Sequence, residues 1–277
     1  MHPDRIAELL DPFLGHSPEN TVPDSQEPSH SRAASAIEKF DALSAAQLQS
    51  ISIYIDLLLR WNSRVNLTSV RQPEEIVTRH FGESLFVARH LFPIPVRVAP
   101  GLRPGDDEFG LTEPGPPEQP LSKHHTIDVG SGAGFPGLPI RIWATHIHLT
   151  LIESNHKKAT FLREVVRALT LTNVDVFAGR AERFQESAQA KSKREGFINV
   201  VTLRAVEHFE SILPAAAGLV GPSGRLAILI GQAQLNRAQQ LVPHLQWDTP
   251  ARLPLSSSRF LIIGRNESRQ LHILQVE

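Results

Sequence analysis

Apolar side chains recur at intervals of three and four through Leu48, Ile51, Ile55 and Leu58, which puts them on one face of a helix running to about Trp61. Its start is marked by Ser44-Ala-Ala-Gln47, the spacing of a capping box, in which the hydroxyl and the amide each satisfy a backbone group that the first turn leaves unpaired. Pro73 can open a second helix, and Ile76, Val77, Phe81, Leu85 and Phe86 carry its apolar pattern to about His90. Near the beginning of the chain, Ile6, Leu9, Leu10 and Phe13 have the spacing of a short helix. The residues after it, His16 to Ser35, are rich in Pro, Ser, His and acidic side chains with no apolar period. Residues 1–43 are therefore expected to form a flexible N-terminal arm, and 44–92 a helical segment.

Between Pro93 and Pro120 stand eight prolines and four glycines, too many breaks for a regular element, so 93–124 reads as an insertion. Beyond it the period changes. Thr126–Val129, Leu149–Glu153, Val174–Ala178, Ile198–Leu203 and Leu226–Ile230 are short β-rich runs, with helical patterns around 138–145, 156–169, 207–219 and 233–242. Such alternation predicts an α/β fold with a mostly parallel sheet covered by helices on both faces, spanning 125–277. Only a short stretch that includes the polar residues Arg265 to Arg269 separates Phe260–Gly264 from His272–Val276, a link that suits an antiparallel hairpin at the C-terminal end of the sheet.

Composition narrows the chemistry. The chain has 277 residues, 41% of them hydrophobic, which suffices for an ordinary core. There is no cysteine, so disulfides, thiolate metal sites, cysteine-ligated iron–sulfur clusters and cysteine nucleophiles are all excluded, and no metal is expected. The 28 basic and 29 acidic side chains give a net charge of −1; any contact with nucleic acid must then come from a local patch. Asp4, Arg5, Glu8 and Asp11 interrupt the apolar residues at the start, as no signal peptide would allow, and no apolar run is long enough to span a membrane. A cytoplasmic protein is expected, with no membrane partner.

Ile127-Asp-Val-Gly-Ser-Gly-Ala-Gly-Phe-Pro-Gly137 reads as a strand entering a glycine-rich turn. In an open parallel sheet ligands bind outside the carboxyl ends of the strands, and Gly130, Gly132, Gly134 and Gly137 would let a nucleoside approach the backbone. Gly132 to Gly137 also match the dinucleotide pattern G-x-G-x-x-G, which keeps an NAD(P)-binding oxidoreductase open. Asp128 ahead of the turn, the earlier start of the glycine series at Gly130, and the C-terminal hairpin favour S-adenosylmethionine. Glu153, 23 positions after Gly130, can accept hydrogen bonds from both ribose hydroxyls of such a ligand.

The sequence resembles the GidB/RsmG family of bacterial small-subunit ribosomal RNA methyltransferases. The likeness is carried by Trp61-Asn, Asn66-Leu-Thr68, Arg79-His-Phe81, Ile127–Gly137, Leu151-Ile-Glu-Ser154, Lys157-Lys158, Phe161-Leu-Arg-Glu-Val165, Gly179-Arg-Ala-Glu182 and Arg204-Ala205. It implies a Rossmann-like class I methyltransferase fold, S-adenosyl-L-methionine as methyl donor, and N7 of a guanine in 16S rRNA, naked or within a small-subunit particle, as acceptor. The family's cofactor contacts fall on Gly130, Phe135, Ala181, Glu182 and Arg204, and Arg204 is the candidate catalytic residue, orienting the base or the cofactor carboxylate. Three positions depart from the family pattern. Glu83 stands where Asp is usual and keeps the carboxylate; Leu203 where Ser is usual and Ile230 where Lys is usual replace polar groups, which leaves a non-catalytic RNA-binding or assembly factor as the rival reading.

Guanine N7 already carries an in-plane lone pair, so its methylation requires alignment and no base. Candidate phosphate contacts are Arg79 and His80, with Arg60, Arg64 and Arg71, from the helical segment, and Lys157, Lys158, Arg163 and Arg167 from the helix after Glu153. On that helix Phe161, Leu162, Val165, Val166 and Leu169 form the apolar stripe, leaving Arg163 and Arg167 on another face. A monomer is expected.

Overall fold

A computed structural model of the chain describes residues 1–15, 43–93, 124–186, 198–204 and 208–267. The N-terminal part consists of α1 (Pro3–Leu14), α2 (Ala45–Asn62), α3 (Pro73–Ile76), a π-helical turn at Val77–Gly82, and α4 (Glu83–Leu91). The capping box expected at Ser44 is present: Gln47 N–H donates to Ser44 Oγ at 3.3 Å, and Ser44 N–H donates to Gln47 Oε1 at 2.8 Å. The pattern that began at Pro73 does run to Leu91, but through a wider turn in the middle that carries Arg79, His80 and Phe81.

The expected flexible arm is corrected at its start. Residues Pro3–Leu14 form a helix whose Ile6, Leu10 and Phe13 are buried, docked on α2, α4 and the π-helical turn. Its last carbonyls are capped from outside, since Arg89 Nη1 donates to Phe13 O and Gly15 O, each at 3.2 Å. Only four apolar positions mark this helix in the sequence, and what holds it is a groove built by α2, α4 and the π-helical turn, all distant in the chain. Residues 16–42 of the arm, most of the 93–124 insertion, residues 187–197 and the second strand of the expected C-terminal hairpin lie outside the described residues.

The sheet contains β1 (His125–Val129), β2 (His148–Glu153), β3 (Val174–Ala178), β4 (Ile198–Arg204), β5 (Arg225–Gly231), β6 (Gln246–Trp247), β7 (Ala251–Arg252) and β8 (Arg259–Arg265). Their order is β3-β2-β1-β4-β5-β8-β6, with β7 also paired to β8. β1 to β5 are parallel, and β8 runs antiparallel against β5. The antiparallel element at the C-terminal end is therefore β8, whose further partners are the two-residue strands β6 and β7. Strands that short, beside Pro250, carry no readable alternation.

Between the parallel strands lie α5 (Gly137–Trp143), α6 (His156–Ala168) and α7 (Phe209–Ala217), and α8 (Leu235–Leu241) follows β5. Alternate residues of one strand enter different cores: Ala227 and Leu229 pack with the N-terminal helices, α5 and α6, whereas Leu226, Ile228 and Ile230 pack with α7 and α8. Both faces are apolar because both are covered, which is why these strands read as continuous hydrophobic runs. Strand order reverses beside β1, so the connections leaving β1 and β4 turn to opposite faces of the sheet at a topological switch point.

Candidate active site

A cleft of about 910 Å³ opens at that switch point, lined by the turn after β1, the ends of β2 and β4, residues 179–182 after β3, and Leu67–Val70 with Arg79 and His80 from the helical segment. Its floor is the glycine turn. Gly130 (φ 69°) and Gly132 (φ 56°) take left-handed backbone that other side chains rarely adopt, and both line the cleft.

The turn's own N–H groups are largely spent on holding its shape. Gly130 and Ser131 donate to Ile152 O at 2.9 and 3.0 Å, Gly132 donates to Glu153 Oε2 at 2.8 Å, and Gly134 donates to Ser131 O at 2.6 Å. The glycines thus serve mainly to keep side chains out of the cleft. Gly134 (φ 91°) does not line it: a Cβ there would collide with the Tyr54 hydroxyl and Leu138, so this glycine admits the support beneath the turn. Asp128 is also behind the wall. Its side chain is fully buried, accepting from Thr202 Oγ1 at 2.7 Å and from Gly137 N–H at 3.3 Å, so it ties β1 to β4 and to the start of α5. Burial raises its carboxyl to about 6, against the pull of those hydrogen bonds. The expected direct ligand contacts of Gly134 and Asp128 are in this structure contacts that shape the turn.

Glu153 does line the cleft, at the end of β2. Its two oxygens accept from Gly132 N–H (2.8 Å) and Asn155 N–H (2.7 Å), which orients the carboxylate while each oxygen keeps a lone pair for a ligand. Ala181 and Glu182 line the neighbouring stretch, Ala181 buried and Glu182 exposed. Phe135 forms a stack under the opposite wall: its ring lies 5.4 Å from Tyr54 at 3° and 4.8 Å from His80 at 26°, with Phe81 edge-on at 5.1 Å. Tyr54 Oη donates to Ala133 O at 2.5 Å and so fastens α2 to the turn. Nothing in the sequence pattern distinguishes Tyr54 from the other apolar positions of α2.

Arg204 leaves the end of β4 beside this stack, its guanidinium 6.0 Å from the centre of the Phe135 ring. Its Nη2 reaches Arg79 O (2.6 Å), Glu83 Oε2 (3.0 Å) and His80 Nδ1 (3.1 Å). Nη1 is buried with no partner among the described residues. Glu83, 3% exposed, also forms an ion pair with Arg259 at the start of β8, so one carboxylate bridges two arginines. Burial pushes the Glu83 carboxyl up, and Arg204, Arg259 and Arg79 oppose that shift. His80 is driven down to about 3 by burial first and then by Arg204, Arg79 and Arg259; it is a neutral imidazole. Arg259 had no signal in the sequence, because its role depends on which strand pairs with β5.

Of the basic candidates, Arg79, His80 and Lys158 line the cleft, together with Arg180, which sequence reasoning passed over within Gly179-Arg-Ala-Glu182. Arg79 is also paired with Glu75 at 2.8 Å. Lys157 and Arg167 are exposed but outside the lining, and Arg163 turns toward β3, donating to Val176 O at 3.3 Å. The two apolar departures lie in the core under α7 and α8: Leu203 is fully buried and Ile230 nearly so. Neither lines the cleft.

A mostly parallel sheet in this order, a glycine turn after its first strand and a carboxylate ending its second define a Rossmann-like methyltransferase. The family model described as GidB, rRNA small subunit methyltransferase G, matches residues 47–98 and 118–256, and the chain belongs to that family. Ribosomal RNA small subunit methyltransferase G of Xylella fastidiosa (strain M23) is 31% identical over 226 residues, 80% of this chain and 89% of the relative. The protein of the same description from Bacillus subtilis (strain 168) is 31% identical over 212 residues, 75% of each. Among solved structures, a SAM-dependent methyltransferase from Aquifex aeolicus aligns with 52% of this chain and 84% of its own at 13% identity and a TM-score of 0.40, too distant to bear on the site.

As a member of this family the chain is an S-adenosylmethionine-dependent methyltransferase, and the cleft fits that cofactor. Glu153 keeps lone pairs for a diol, the floor carries no side chain at Gly130 and Gly132, and the orphaned Arg204 Nη1 is a buried cationic donor suited to a carboxylate or a base oxygen. Among the described residues no helix is long and apolar enough to cross a membrane, and no group of acidic or histidine side chains could hold a metal ion.

Proposed function

We propose that the chain methylates N7 of a guanine in 16S rRNA during maturation of the small ribosomal subunit. The observation that carries the reading is the state of the side chains around Phe135. His80 is neutral with both ring nitrogens engaged, and Glu83 is occupied by two arginines, so among the described residues packed around Phe135 there is alignment and positive charge but no free base. N7 of guanine is a nucleophile that needs no proton removed, and holding reactants in near-attack geometry lowers such a barrier by roughly 7–11 kcal/mol.

When bound, S-adenosylmethionine supplies a sulfonium methyl group. Glu153 and the turn fix the nucleoside end of the cleft, Ala181 and Glu182 flank the place for adenine, and Arg204 orients the acceptor side. Lys158, Arg79 and Arg180 at the rim meet the phosphates that accompany an RNA base. The chain acts as a monomer, in the cytoplasm where the particle is assembled.

The test is transfer from labelled S-adenosylmethionine to unmodified small-subunit particles and to naked 16S rRNA, with the product mapped for 7-methylguanosine. Label at a single guanine N7 is expected. Tight RNA binding without transfer would instead make the chain an assembly factor, and label on an exocyclic amine or a ribose would overturn the proposed acceptor.

A further inference from the structure

Around His80 the directions of the hydrogen bonds can be followed one by one. Arg204 Nη2 stands 3.1 Å from His80 Nδ1 and has two hydrogens for three acceptors, Arg79 O and Glu83 Oε2 being the others; since a guanidinium nitrogen only donates, Nδ1 presents its lone pair to a shared hydrogen. The neutral ring therefore carries its proton on Nε2, which lies 2.8 Å from Thr68 Oγ1 and donates to it. The same oxygen accepts the Val70 N–H at 3.1 Å. Both lone pairs of the Thr68 hydroxyl are then filled, and what remains to it is its own proton.

That hydroxyl is half-buried in the cleft wall, and its proton meets no acceptor among the described residues. Its position is set with unusual completeness for a loop. Asn62, 4% exposed on α2, accepts from Leu67 N–H (2.8 Å) and Thr68 N–H (3.0 Å) through Oδ1, and donates to Thr68 O at 2.9 Å through Nδ2. Backbone and side chain of Thr68 are both pinned, which is the arrangement of a preorganised donor.

We propose that Thr68 Oγ1–H recognises O6 of the target guanine. This rests on the acceptor reading above and adds the group that selects the base. On the edge of a purine that carries N7, guanine presents the O6 acceptor and adenine the N6 amino donor. A free hydroxyl would serve either, but one whose lone pairs are both occupied can only donate. Adenine would bring its amino group against a donor with nothing to receive it, and the site rejects it by an unpaired buried group. Thr68 is thus a specificity residue, held in its donating state through His80 by Arg204.

The experiment crosses Thr68→Val with removal of O6, placing 2-aminopurine, which keeps N7 and lacks O6, at the methylated position of the RNA. Wild type is expected to lose about 10- to 100-fold in kcat/KM on the 2-aminopurine substrate. Thr68→Val should lose a similar factor on guanine, with affinity for S-adenosylmethionine unchanged, while Thr68→Ser stays near wild type. Variant and analogue combined should lose no more than either alone. Losses that multiply, or a variant weakened in cofactor binding, overturn the assignment. Thr68→Val leaves Val70 N–H and His80 Nε2–H unpaired; should it fail to fold, equal wild-type rates on guanine and 2-aminopurine overturn the assignment by themselves, and a deficit on 2-aminopurine together with near-normal Thr68→Ser supports it. A wild-type enzyme that labels no guanine N7 overturns the acceptor reading, and this inference with it.

Discussion

Asp128 and His80 sit on either side of the glycine turn with ionisations displaced in opposite directions, and folding stability should register both. An aspartate in the unfolded chain ionises near 3.8, whereas Asp128 in the fold holds its proton to about 6, so as pH rises through that window this group removes stability, on the order of 3 kcal/mol in all. Histidine runs the other way. As pH falls below 6.5 the unfolded chain takes up a proton that folded His80 refuses until about 3, so acid removes stability. From about pH 4 to 6 the two slopes oppose each other in the wild-type protein. Asp128→Asn takes away one of them, so the variant should lose stability on acidification from pH 6 to 4.5 faster than wild type, by up to about 1.4 kcal/mol per pH unit. Urea melts at the two pH values measure this; parallel curves for the two proteins would show that Asp128 is ionised throughout. The same residue shows the limit of reading roles from sequence. Asp128 was legible as part of the site, but whether its carboxylate faces the ligand or the strand behind depends on Thr202, seventy-four positions away.

Among the elements, α1 and the π-helical turn meet at a close contact between Phe13 and Gly82. Gly82 ends the turn, and a Cβ there would fall 2.5 Å from the Phe13 ring, so the missing side chain makes room for α1. In an open helix Gly→Ala gains up to about 1 kcal/mol from propensity alone. Gly82→Ala should therefore destabilise the wild-type protein yet stabilise a Phe13→Ala background, a reversal of sign that thermal or denaturant unfolding of the four proteins would detect. Additive effects would show that Phe13 does not occupy that space. Periodicity placed the long elements well: Val174–Ala178 was expected at the bounds observed, and the other parallel strands to within a residue or two. It could not reveal the docking of α1, nor the wider turn that presents Arg79 and His80, because both arise from tertiary packing that a local pattern does not encode.

For the whole molecule, the Glu83 bridge joins three distant parts of the chain: α4, the end of β4 and the start of β8. Arg259→Ala removes one arm of it and leaves the buried Glu83 carboxylate with Arg204 as its remaining ion-pair partner. Because Arg204 is positioned through that carboxylate, transfer should slow on the order of 10-fold or more while S-adenosylmethionine still binds, and single-turnover rates beside calorimetry would separate the two. An unchanged rate would mean that Arg79 O and His80 suffice to hold Arg204. The turn and Glu153 are readable from the strand–turn pattern and its spacing, and Arg204 from the family resemblance, whereas Arg259 and Tyr54, which hold those residues in place, lie in stretches with no motif to mark them.

The position of Arg259 also sets an order of events during synthesis. The cofactor floor, Glu153 and Arg204 are all encoded before residue 205, and β1, β2 and β4 could align as soon as they emerge. The second arginine of the Glu83 bridge arrives more than fifty residues later, on a strand that must insert against β5 before it can reach the carboxylate. A growing chain can thus assemble the place for the methyl donor before the guanidinium beside it is fully braced, so that full competence to transfer waits until β8 has emerged and paired with β5.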